Sequence, residues 1–574
     1  MNTRATAIFR IRIITAAIIL IAGLLITRLY YVQVMQHDYY VERAERQYVH
    51  TVNDLYDRGS IYFTTKSGDL VSAATISSGF VLAVNPTQII DAEAAHVALS
   101  SVYEINKESF IRTVTTPNRT YIEIDPRITI AQSRLIAEKK IPGLHLYSNQ
   151  WRYYPGEALS ARLVGFVGYS DNESEGLVGR YGLERYYDDI LNRSDESTSV
   201  NFFAEIFTNM GQILFDATPK RTGDIVTTIE PTVARFLDTT LQKTQDTWDS
   251  RITGGIIMNP QNGEIYAMNV IPTFNSNARI GNTIEDFKNP LVEDVYEMGS
   301  IIKALTVAAG LDDGAITPQT TYYDSGQLQL SNFTIRNYDG RARGTVNMQE
   351  VLNQSLNTGV SFIVDTMGKD DFRSYFKRLR LGSETGIDLP NEAFGLIANL
   401  DSPRDVEYAT ASFGQGIALT PIATVRALAA LGNGGRLVTP HVVREIVYQD
   451  GSVKENKFPD GEQIFSEETS LVISRMLTNV VDDALRNGEV KLENHSLAAK
   501  TGTAQIADQI NGGYYEDRFL HSFFGYFPAY DPEYLVFLYT VEPKNIRFAS
   551  ETLTDPFMEI TNFLINYYNI PPDR

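Results

Sequence analysis

The order of extended and helical segments in the C-terminal half most constrains how this chain can fold. Two extended runs, 254–259 and 264–270, are joined through Gln261-Asn262-Gly263, and Asn-Gly is typical of tight hairpins. A mainly helical block follows over residues 299–435, after which extended runs return. This order predicts an α+β domain with one antiparallel sheet built from both of its ends and a helical subdomain inserted between them.

An uncharged apolar run over residues 13–27 sets the N-terminal part apart. Mostly apolar residues continue to residue 35, interrupted by Arg28, whose long side chain can reach a membrane surface. Three arginines and no acid precede the run, and positive charge marks the cytoplasmic side of a span. We predict a cytoplasmic tail at 1–12 and a single-pass cell-membrane helix at 13–35, with the rest extracytoplasmic. A cleaved signal peptide is the alternative, but no small-x-small cleavage site follows.

Composition excludes several classes of function. The chain has 574 residues, of which 50 are basic and 70 acidic, and the net charge of −20 argues against nucleic acid as a partner. It has no cysteine, so disulfides, thiolate metal sites and a cysteine nucleophile are excluded. Neither a His-Glu-x-x-His pattern nor a glycine-rich phosphate loop occurs. We therefore predict neither a metal nor a cofactor.

Residues 36–222 contain no cluster of catalytic residue types. Short extended runs, such as 80–84, alternate there with helical stretches, such as 91–105. This pattern predicts a mixed binding or spacer domain. It changes at the turn signal Gly223-Asp224, and we predict that a second domain occupies 223–574.

The first of three short motifs in 223–574 is Ser300-Ile301-Ile302-Lys303, at the start of an apolar helical stretch. Residues three apart lie on one helix face, so the Ser300 hydroxyl and the Lys303 amine can meet. A serine hydroxyl becomes nucleophilic when a base takes its proton, and burial can lower the pKa of a lysine until it is that base. Alone, the motif fits better a capping serine beside a surface lysine.

The second motif is Ser355-Leu356-Asn357, which follows an apolar helical stretch. Ser355 could relay a proton, and Asn357 could hold a neighbouring lysine or a substrate amide. Serine and asparagine are also common at helix ends, so this motif alone fits an ordinary helix terminus.

The third motif is Lys500-Thr501-Gly502-Thr503, inside the extended run 497–506. Glycine within a strand often marks close approach by another backbone or by a ligand. The lysine and threonines could bind a carboxylate, and an extended peptide could pair with this strand. A strand with an exposed lysine and a bulge is the alternative.

The order of the motifs decides between these interpretations. Ser-x-x-Lys at a helix start, Ser-x-Asn, and Lys-Thr-Gly-Thr on a later strand form the signature set of penicillin-binding proteins and serine β-lactamases. The chain resembles the class B penicillin-binding proteins, monofunctional peptidoglycan D,D-transpeptidases, over nearly its full length. The resemblance implies their penicillin-binding-protein-like transpeptidase fold for 223–574.

Segments outside the three motifs carry the same resemblance. The family's non-catalytic domain, called the pedestal or dimerisation domain, would correspond to 36–222. The segments similar to its motifs are Arg58-Gly59-Ser60-Ile61-Tyr62, Tyr153-Tyr154-Pro155-Gly156 with 163–168, and 182–187. No glycosyltransferase domain precedes them, which favours class B over the bifunctional class A. Residues 344–348 and 152–155 look more like the division type than the elongation type, so we predict a role in septal wall synthesis.

The resemblance implies catalytic roles for six residues, of which Thr503 would act through its backbone N–H. Lys303 would accept the proton of Ser300, and Ser300 would attack the penultimate D-Ala carbonyl of a stem peptide. Ser355 and Lys500 would pass a proton to the leaving D-Ala, and Asn357 would belong to the same site.

The resemblance also implies how substrate and partners bind. Thr501, Gly502 and Thr503 would bind the substrate, with the backbone N–H groups of Ser300 and Thr503 facing the oxyanion. β-Lactams would acylate Ser300 by mimicking the stem peptide. The helix 13–35 and the pedestal would meet a SEDS-family glycan polymerase and divisome membrane proteins.

Three other functions stay open at this point. An elongation-type transpeptidase carries the same motifs. So does a hydrolase, either a D,D-carboxypeptidase or a β-lactamase, although the anchor and pedestal argue against a simple hydrolase. An inactive divisome scaffold could also keep the fold.

Overall fold

The computed structural model describes residues 20, 21, 23, 57–117, 119–169, 177–193, 221–278, 282–508 and 510–574. The chain divides into two compact units. Ile76–Arg152 forms most of the smaller unit, and the larger unit takes in Arg58–Thr75, Tyr153–Arg193 and the described residues from 221 onward. The larger unit thus includes segments from before residue 223, and the predicted domain bounds, 36–222 and 223–574, stay predictions.

No helix in the described part of the chain is long and apolar enough to cross a membrane. The predicted tail 1–12 and span 13–35 lie outside the described residues, except for Leu20, Ile21 and Gly23. The membrane anchor therefore stays a prediction.

The smaller unit packs helices against strands around one apolar core. The later residues of strand Leu70–Val84 pair antiparallel with strand Ile122–Ile128, and strand Leu144–Tyr153 also pairs with Leu70–Val84. The helices are Ala92–Ser100, Lys107–Val114 and Ile130–Glu138. Their shared core includes Leu82, Val84, Leu99, Phe110 and Ile128.

One sheet of the larger unit joins segments that are far apart in sequence. Strand Ile61–Thr64 pairs antiparallel with the first residues of Leu70–Val84 and parallel with Gly223–Thr227. Strands Val443–Tyr448 and Val453–Glu455 extend this sheet beyond Gly223–Thr227. The extended run that begins at residue 223 therefore belongs to this sheet, and not to the five-stranded sheet that contains Ile252–Met258 and Ile265–Ile271.

The central sheet of the larger unit has five antiparallel strands. Their order is Ala498–Ala507, Tyr514–Phe527, Tyr534–Val541, Ile252–Met258 and Ile265–Ile271. The last two form the predicted hairpin, and the other three come from the C-terminal side of the inserted helices. The prediction of one antiparallel sheet built from both ends is confirmed.

Strand Tyr534–Val541 is buried at every residue, so both faces of this sheet are covered. Helices Pro231–Trp248 and Thr554–Tyr568 pack against each other and against the sheet. Helix Pro231–Trp248 begins with a proline, whose nitrogen needs no hydrogen-bond partner. The Glu230 carboxylate caps the helix by accepting from the Val233 N–H at 2.6 Å.

Residues 299–435 are mainly helical, as predicted, but they also contain short strands. The helices are Ile302–Asp312, Met348–Asn353, Asn357–Met367, Lys369–Arg378, Asp405–Ala411 and Pro421–Ala429. Two antiparallel pairs interrupt them, Thr321–Asp324 with Gly344–Asn347 and Gln327–Leu330 with Phe333–Arg336. Each of these strands has four residues, too few for an alternating pattern to predict it.

Short elements complete the larger unit. Its other α-helices are Ala161–Val164, Gly182–Tyr186, Asp188–Leu191, Ile284–Phe287, Pro290–Glu293, Glu467–Asn479 and Ala549–Thr552, with a π-helical turn at Val480–Ala484. Its other strands are Phe166–Tyr169, Leu177–Tyr181, Arg436–Leu437 and Glu462–Gln463. Single 3₁₀ turns occur at Gly299–Ile301, Ala398–Asp401 and Leu485–Gly488, and another at Pro86–Gln88 in the smaller unit.

Candidate active site

A cleft of about 820 Å³ opens along Ala498–Ala507, the edge strand of the central sheet. Its lining includes most of the predicted site residues, namely Ser300, Ser355, Asn357, Lys500, Thr501 and Thr503. Lys303 and Gly502 are buried and do not line it. The fold therefore gathers the three motifs at one place.

Ser300 lies in the 3₁₀ turn Gly299–Ile301, which leads directly into helix Ile302–Asp312. This turn runs against the edge strand. A Cβ atom at residue 299 would lie 2.7 Å from the Thr503 carbonyl oxygen, and Gly299 has a φ of +65°. Only glycine fits both the contact and the backbone conformation, so Gly299 holds Ser300 close to Thr503.

Lys303 is completely buried one helical turn after Ser300. Its amine donates to the Ser355 carbonyl oxygen at 2.5 Å and lies 3.2 Å from the Ser355 hydroxyl. Burial, assisted by the nearby charge of Lys500, holds the pKa of Lys303 well below its usual range. A lowered pKa favours the neutral form of the amine, which can accept a proton.

Ser355 connects the two lysines of the site. Its hydroxyl lies 3.2 Å from the Lys303 amine and 3.2 Å from the Lys500 amine. Its backbone has a φ of +54°, in the left-handed region, immediately before helix Asn357–Met367. This conformation places the carbonyl and the hydroxyl of one residue against the same buried amine.

Lys500 is only 3% exposed, and its burial lowers its pKa to about 8. Its amine also donates to the Thr501 carbonyl oxygen at 3.1 Å. Burial lowers the pKa of both amines, and the charge of Lys500 lowers that of Lys303 as well, which favours Lys303 as the base and Lys500 as the acid. The shared Ser355 hydroxyl lies between them.

Asn357 begins helix Asn357–Met367 and borders the cleft. Its amide nitrogen donates to the Arg336 carbonyl oxygen at 2.8 Å. The amide thereby ties the hairpin strand Phe333–Arg336 to the helix start beside Ser355.

The edge strand presents two of its threonines to the cleft but not its glycine. Thr501 and Thr503 line the cleft, and the Thr503 hydroxyl accepts from the Ala549 N–H at 3.1 Å. A Cβ atom at Gly502 would lie 2.4 Å from the Ser522 hydroxyl and 2.8 Å from the Met298 carbonyl oxygen. The close approach that a glycine in a strand indicates is thus made by the backbone before Ser300, and the substrate contact of Gly502 stays a prediction.

The chemistry of the lining suits proton transfer and anion binding. The described residues that line the cleft contribute an amine, hydroxyls, amides, guanidiniums and apolar groups, and none of them is Asp, Glu or His. In the described part of the chain, no group of three or more His, Cys, Asp or Glu side chains is arranged to hold a metal ion.

Comparison with known protein families accounts for both halves of the described chain. The penicillin binding protein transpeptidase domain matches residues 253–561, and the penicillin-binding protein dimerisation domain matches residues 57–214. The chain belongs to the class B penicillin-binding proteins. Its three motifs lie within the transpeptidase match, so the catalytic residues proposed below fall inside the family's shared domain.

Individual relatives extend the similarity over nearly the whole chain of this penicillin-binding protein. Stage V sporulation protein D of Bacillus subtilis is 30% identical, over 93% of this chain and 81% of its own. The peptidoglycan D,D-transpeptidase FtsI of Buchnera aphidicola is 24% identical, over 98% of this chain and 96% of its own. The crystal structure of penicillin binding protein 2X from Streptococcus thermophilus shares the fold, with a TM-score of 0.71 at 21% identity, over 90% of this chain and 80% of that one.

Sequence reasoning missed Glu297, which precedes the nucleophile turn of this penicillin-binding protein by two residues. One of its carboxylate oxygens accepts from the Gly416 N–H at 3.0 Å and from the Tyr514 hydroxyl at 3.1 Å. The other is buried and has no hydrogen-bond partner among the described residues. Burial raises the pKa of Glu297 to about 7. Only its place directly before Met298-Gly299-Ser300 could have drawn attention to it.

We expect Glu297 to make folding stability fall as the pH rises. Its pKa of about 7 in the folded chain exceeds its ordinary value of 4.5, so between these values the native state holds a proton that the unfolded state has released. Relative to Glu297→Gln, the wild type should lose on the order of 2 kcal/mol of unfolding free energy between pH 5 and pH 8. Denaturant titrations at both pH values measure this, and Glu489→Gln, which removes an exposed carboxylate, is the control. A difference that does not change with pH would contradict it.

Proposed function

We propose that this class B penicillin-binding protein is a peptidoglycan D,D-transpeptidase that cross-links stem peptides through an acyl-enzyme on Ser300. The position of Ser355 carries the proposal, because its hydroxyl lies 3.2 Å from both the Lys303 and the Lys500 amines. A hydroxyl between a base and an acid can pass protons in either direction. The relative named peptidoglycan D,D-transpeptidase supports the same reaction.

The first step forms an ester between Ser300 and the penultimate D-Ala of the donor peptide. Neutral Lys303 takes the hydroxyl proton while the Ser300 oxygen bonds to the carbonyl carbon. The peptide C–N bond then breaks. The departing D-Ala nitrogen receives a proton from Lys500 through the Ser355 hydroxyl. The position of this hydroxyl, 3.2 Å from both lysine amines, supports this path.

Substrate binding uses the edge of the central sheet. Strand Ala498–Ala507 has a sheet neighbour on one side only, so an extended donor peptide can pair with its free edge. Thr501 and Thr503 bind the terminal carboxylate from the cleft wall. The backbone N–H groups of Ser300 and Thr503 stabilise the oxyanion, an effect of about 3–4 kcal/mol per donor in hydrolases.

The second step transfers the acyl group to an amine of a neighbouring stem peptide. Lys303 passes the proton gained in the first step through the Ser355 hydroxyl to Lys500, which restores both amines. Lys303 then takes a proton from the acceptor amine while the amine nitrogen bonds to the ester carbonyl carbon. The C–O bond breaks, the Ser300 oxygen receives that proton from Lys303, and the cross-link is released. No cofactor enters either step.

We also propose that the cell uses this reaction at the septum, with the chain anchored by residues 13–35 and its bulk outside the cytoplasm. The division-like residues 344–348 and 152–155 and the FtsI relative support this. The proposed partners are a SEDS-family glycan polymerase and divisome membrane proteins. A fluorescent fusion should gather at the septum, whereas even distribution along the side wall would favour an elongation role.

The chemical proposal is tested with a fluorescent penicillin and the full-length protein in detergent. The label should attach to the proteolytic peptide that contains Ser300, and mass spectrometry can locate it. The adduct should persist for many minutes, because a transpeptidase deacylates slowly when no acceptor amine is present. Attachment at another residue would overturn the assignment of the nucleophile.

The same experiment separates the alternative functions. Release of the label within seconds would identify a β-lactamase. A folded protein that never becomes labelled would favour a scaffold. With a D-Ala-D-Ala peptide as donor, an added amine should be incorporated into the product, whereas hydrolysis alone would indicate a D,D-carboxypeptidase.

A further inference from the structure

The cleft is cationic although the chain as a whole is acidic. Among the residues that the structure describes, its lining includes Arg336, Arg486, Lys500 and Arg547 but neither Asp nor Glu, whereas the net charge of the chain is −20. A concave site lined by one sign of charge concentrates ligands of the opposite sign. The cleft therefore favours a ligand with negative charge.

Two of these four cations already have partners within the protein. Lys500 donates to Ser355 and Thr501, and Arg486 contacts the Asp555 carboxylate at 2.5 and 3.2 Å. Arg336 and Arg547 form no salt bridge with any carboxylate of the described residues. These two guanidiniums are available to a ligand.

Asp339, three residues after Arg336, does not pair with the Arg336 guanidinium. Asp339 is held by the Arg343 guanidinium through both carboxylate oxygens, at 2.7 and 2.8 Å. This contact holds the pKa of Asp339 at about 2, so it stays ionised and paired. Asp339 therefore does not neutralise the charge of Arg336, which lines the cleft.

The backbone of each free arginine is fixed to a different wall. The Arg336 carbonyl oxygen accepts from the Asn357 amide at 2.8 Å, on the wall that carries Ser355. The Arg547 carbonyl oxygen lies 3.0 Å from His521 Nε2, and His521 pairs in register with Thr503. A ligand between these walls would have one arginine on either side.

An aromatic contact brings the two walls together beside the arginines. The rings of Tyr338 and Phe548 meet edge to face, with centroids 5.8 Å apart and planes at 81°. Tyr338 lies two residues after Arg336, and Phe548 directly follows Arg547. The two guanidiniums thus extend from segments that meet at the cleft, which suits joint contact with one anionic group.

We propose that Arg336 and Arg547 form a second anion subsite, which binds a carboxylate in the part of the donor stem peptide that precedes the terminal D-Ala pair. The inference rests on the proposed transpeptidase function. Planar guanidiniums match the two oxygens of a carboxylate. Since Thr501 and Thr503 take the terminal carboxylate, the subsite selects peptides that keep a further free carboxylate over peptides in which it is amidated.

The test uses two penicillins whose acyl side chains differ only in a free carboxylate or its primary amide. This side chain occupies the place of the residue before the D-Ala pair. The second-order acylation rate constant is measured for full-length wild type, Arg336→Gln, Arg547→Gln and Arg235→Gln. Arg235 is an exposed arginine on helix Pro231–Trp248, away from the cleft, so it is the matched control.

Wild type and Arg235→Gln should prefer the carboxylate by roughly fivefold, the size of a modest ion pair, and salt should weaken this preference. Arg336→Gln and Arg547→Gln should lose most of it while acylating with the amide at the wild-type rate, which shows that Ser300 and the fold are intact. Acylation without any preference in wild type, or an undiminished preference in both variants, would overturn the subsite alone. No acylation by either penicillin would overturn the proposed function, and this inference with it.

Discussion

Ser300→Ala should abolish covalent attachment of penicillin and of the donor peptide. The alanine side chain has no oxygen to form the ester, and no other hydroxyl lies in the same turn, Gly299–Ile301. Removing the nucleophile of another serine enzyme lowers turnover on the order of a millionfold, far below what a gel assay detects. Fluorescence of the labelled band, quantified over time, measures the loss.

Two controls show that this loss is chemical. Ser383→Ala alters an exposed serine outside the cleft and should label like wild type. The melting temperature of Ser300→Ala should stay close to the wild-type value, because the substitution removes one partly buried oxygen without leaving a large cavity. Labelling of Ser300→Ala at the wild-type rate would exclude Ser300 as the nucleophile.

Lys303→Met should lower the acylation rate by about 10²–10⁴-fold, the usual contribution of a general base. Methionine fills a similar buried volume but cannot accept the Ser300 proton. The Ser355 carbonyl and hydroxyl each lose a contact, so a modest destabilisation of about 1–3 kcal/mol is expected besides. Stopped-flow acylation and a denaturant titration separate the two effects.

The pH profile distinguishes a lost base from distorted packing. In wild type the acylation rate should fall toward acid pH as Lys303 is protonated, and toward alkaline pH above about 8 as Lys500 loses its proton. Lys303→Met should lack the acid limb, while Lys243→Met, at an exposed position, should keep both limbs. An unchanged profile and rate in Lys303→Met would show that another group is the base.

The strongest sequence predictions concern features that depend on neighbouring residues. Asn262-Gly263 indicated the hairpin of Ile252–Met258 and Ile265–Ile271, and the structure confirms it. The spacing of Ser300 and Lys303 predicts that their side chains share a helix face, although no hydrogen bond joins them among the described residues, where the Lys303 amine donates to Ser355. The base function of Lys303 requires burial of its amine, and Lys303 is completely buried.

The partner of Lys303 could not be read from its neighbours. Its amine contacts Ser355, 52 residues away, and Lys500 reaches the same hydroxyl from 145 residues away. Distances of this kind are set by the packing of helices Ile302–Asp312 and Asn357–Met367 against each other, and of the turn Gly299–Ile301 against the edge strand. No local pattern encodes them, so the sequence could name the residues but not their hydrogen bonds.

Gly502 and Glu297 also show that sequence patterns do not identify contacts between distant segments. A glycine in a strand indicated close approach, but only the structure identified the Met298 backbone as the neighbour. Glu297 carried no pattern at all, because its raised pKa results from burial between Gly416 and Tyr514, which come from distant segments. Burial is a property of the packed chain.

The sequence by itself determined the class of fold, the family and which residues could carry the chemistry, because strand and helix periodicity and the ordered motifs are local. Tertiary structure alone decided that the Ser355 hydroxyl lies between two buried lysines, that Gly502 accommodates the turn before Ser300, and that Arg336 and Arg547 flank the cleft. Each of these depends on segments far apart in the chain. Their desolvation and distances exist only once the sheet and the helices have packed.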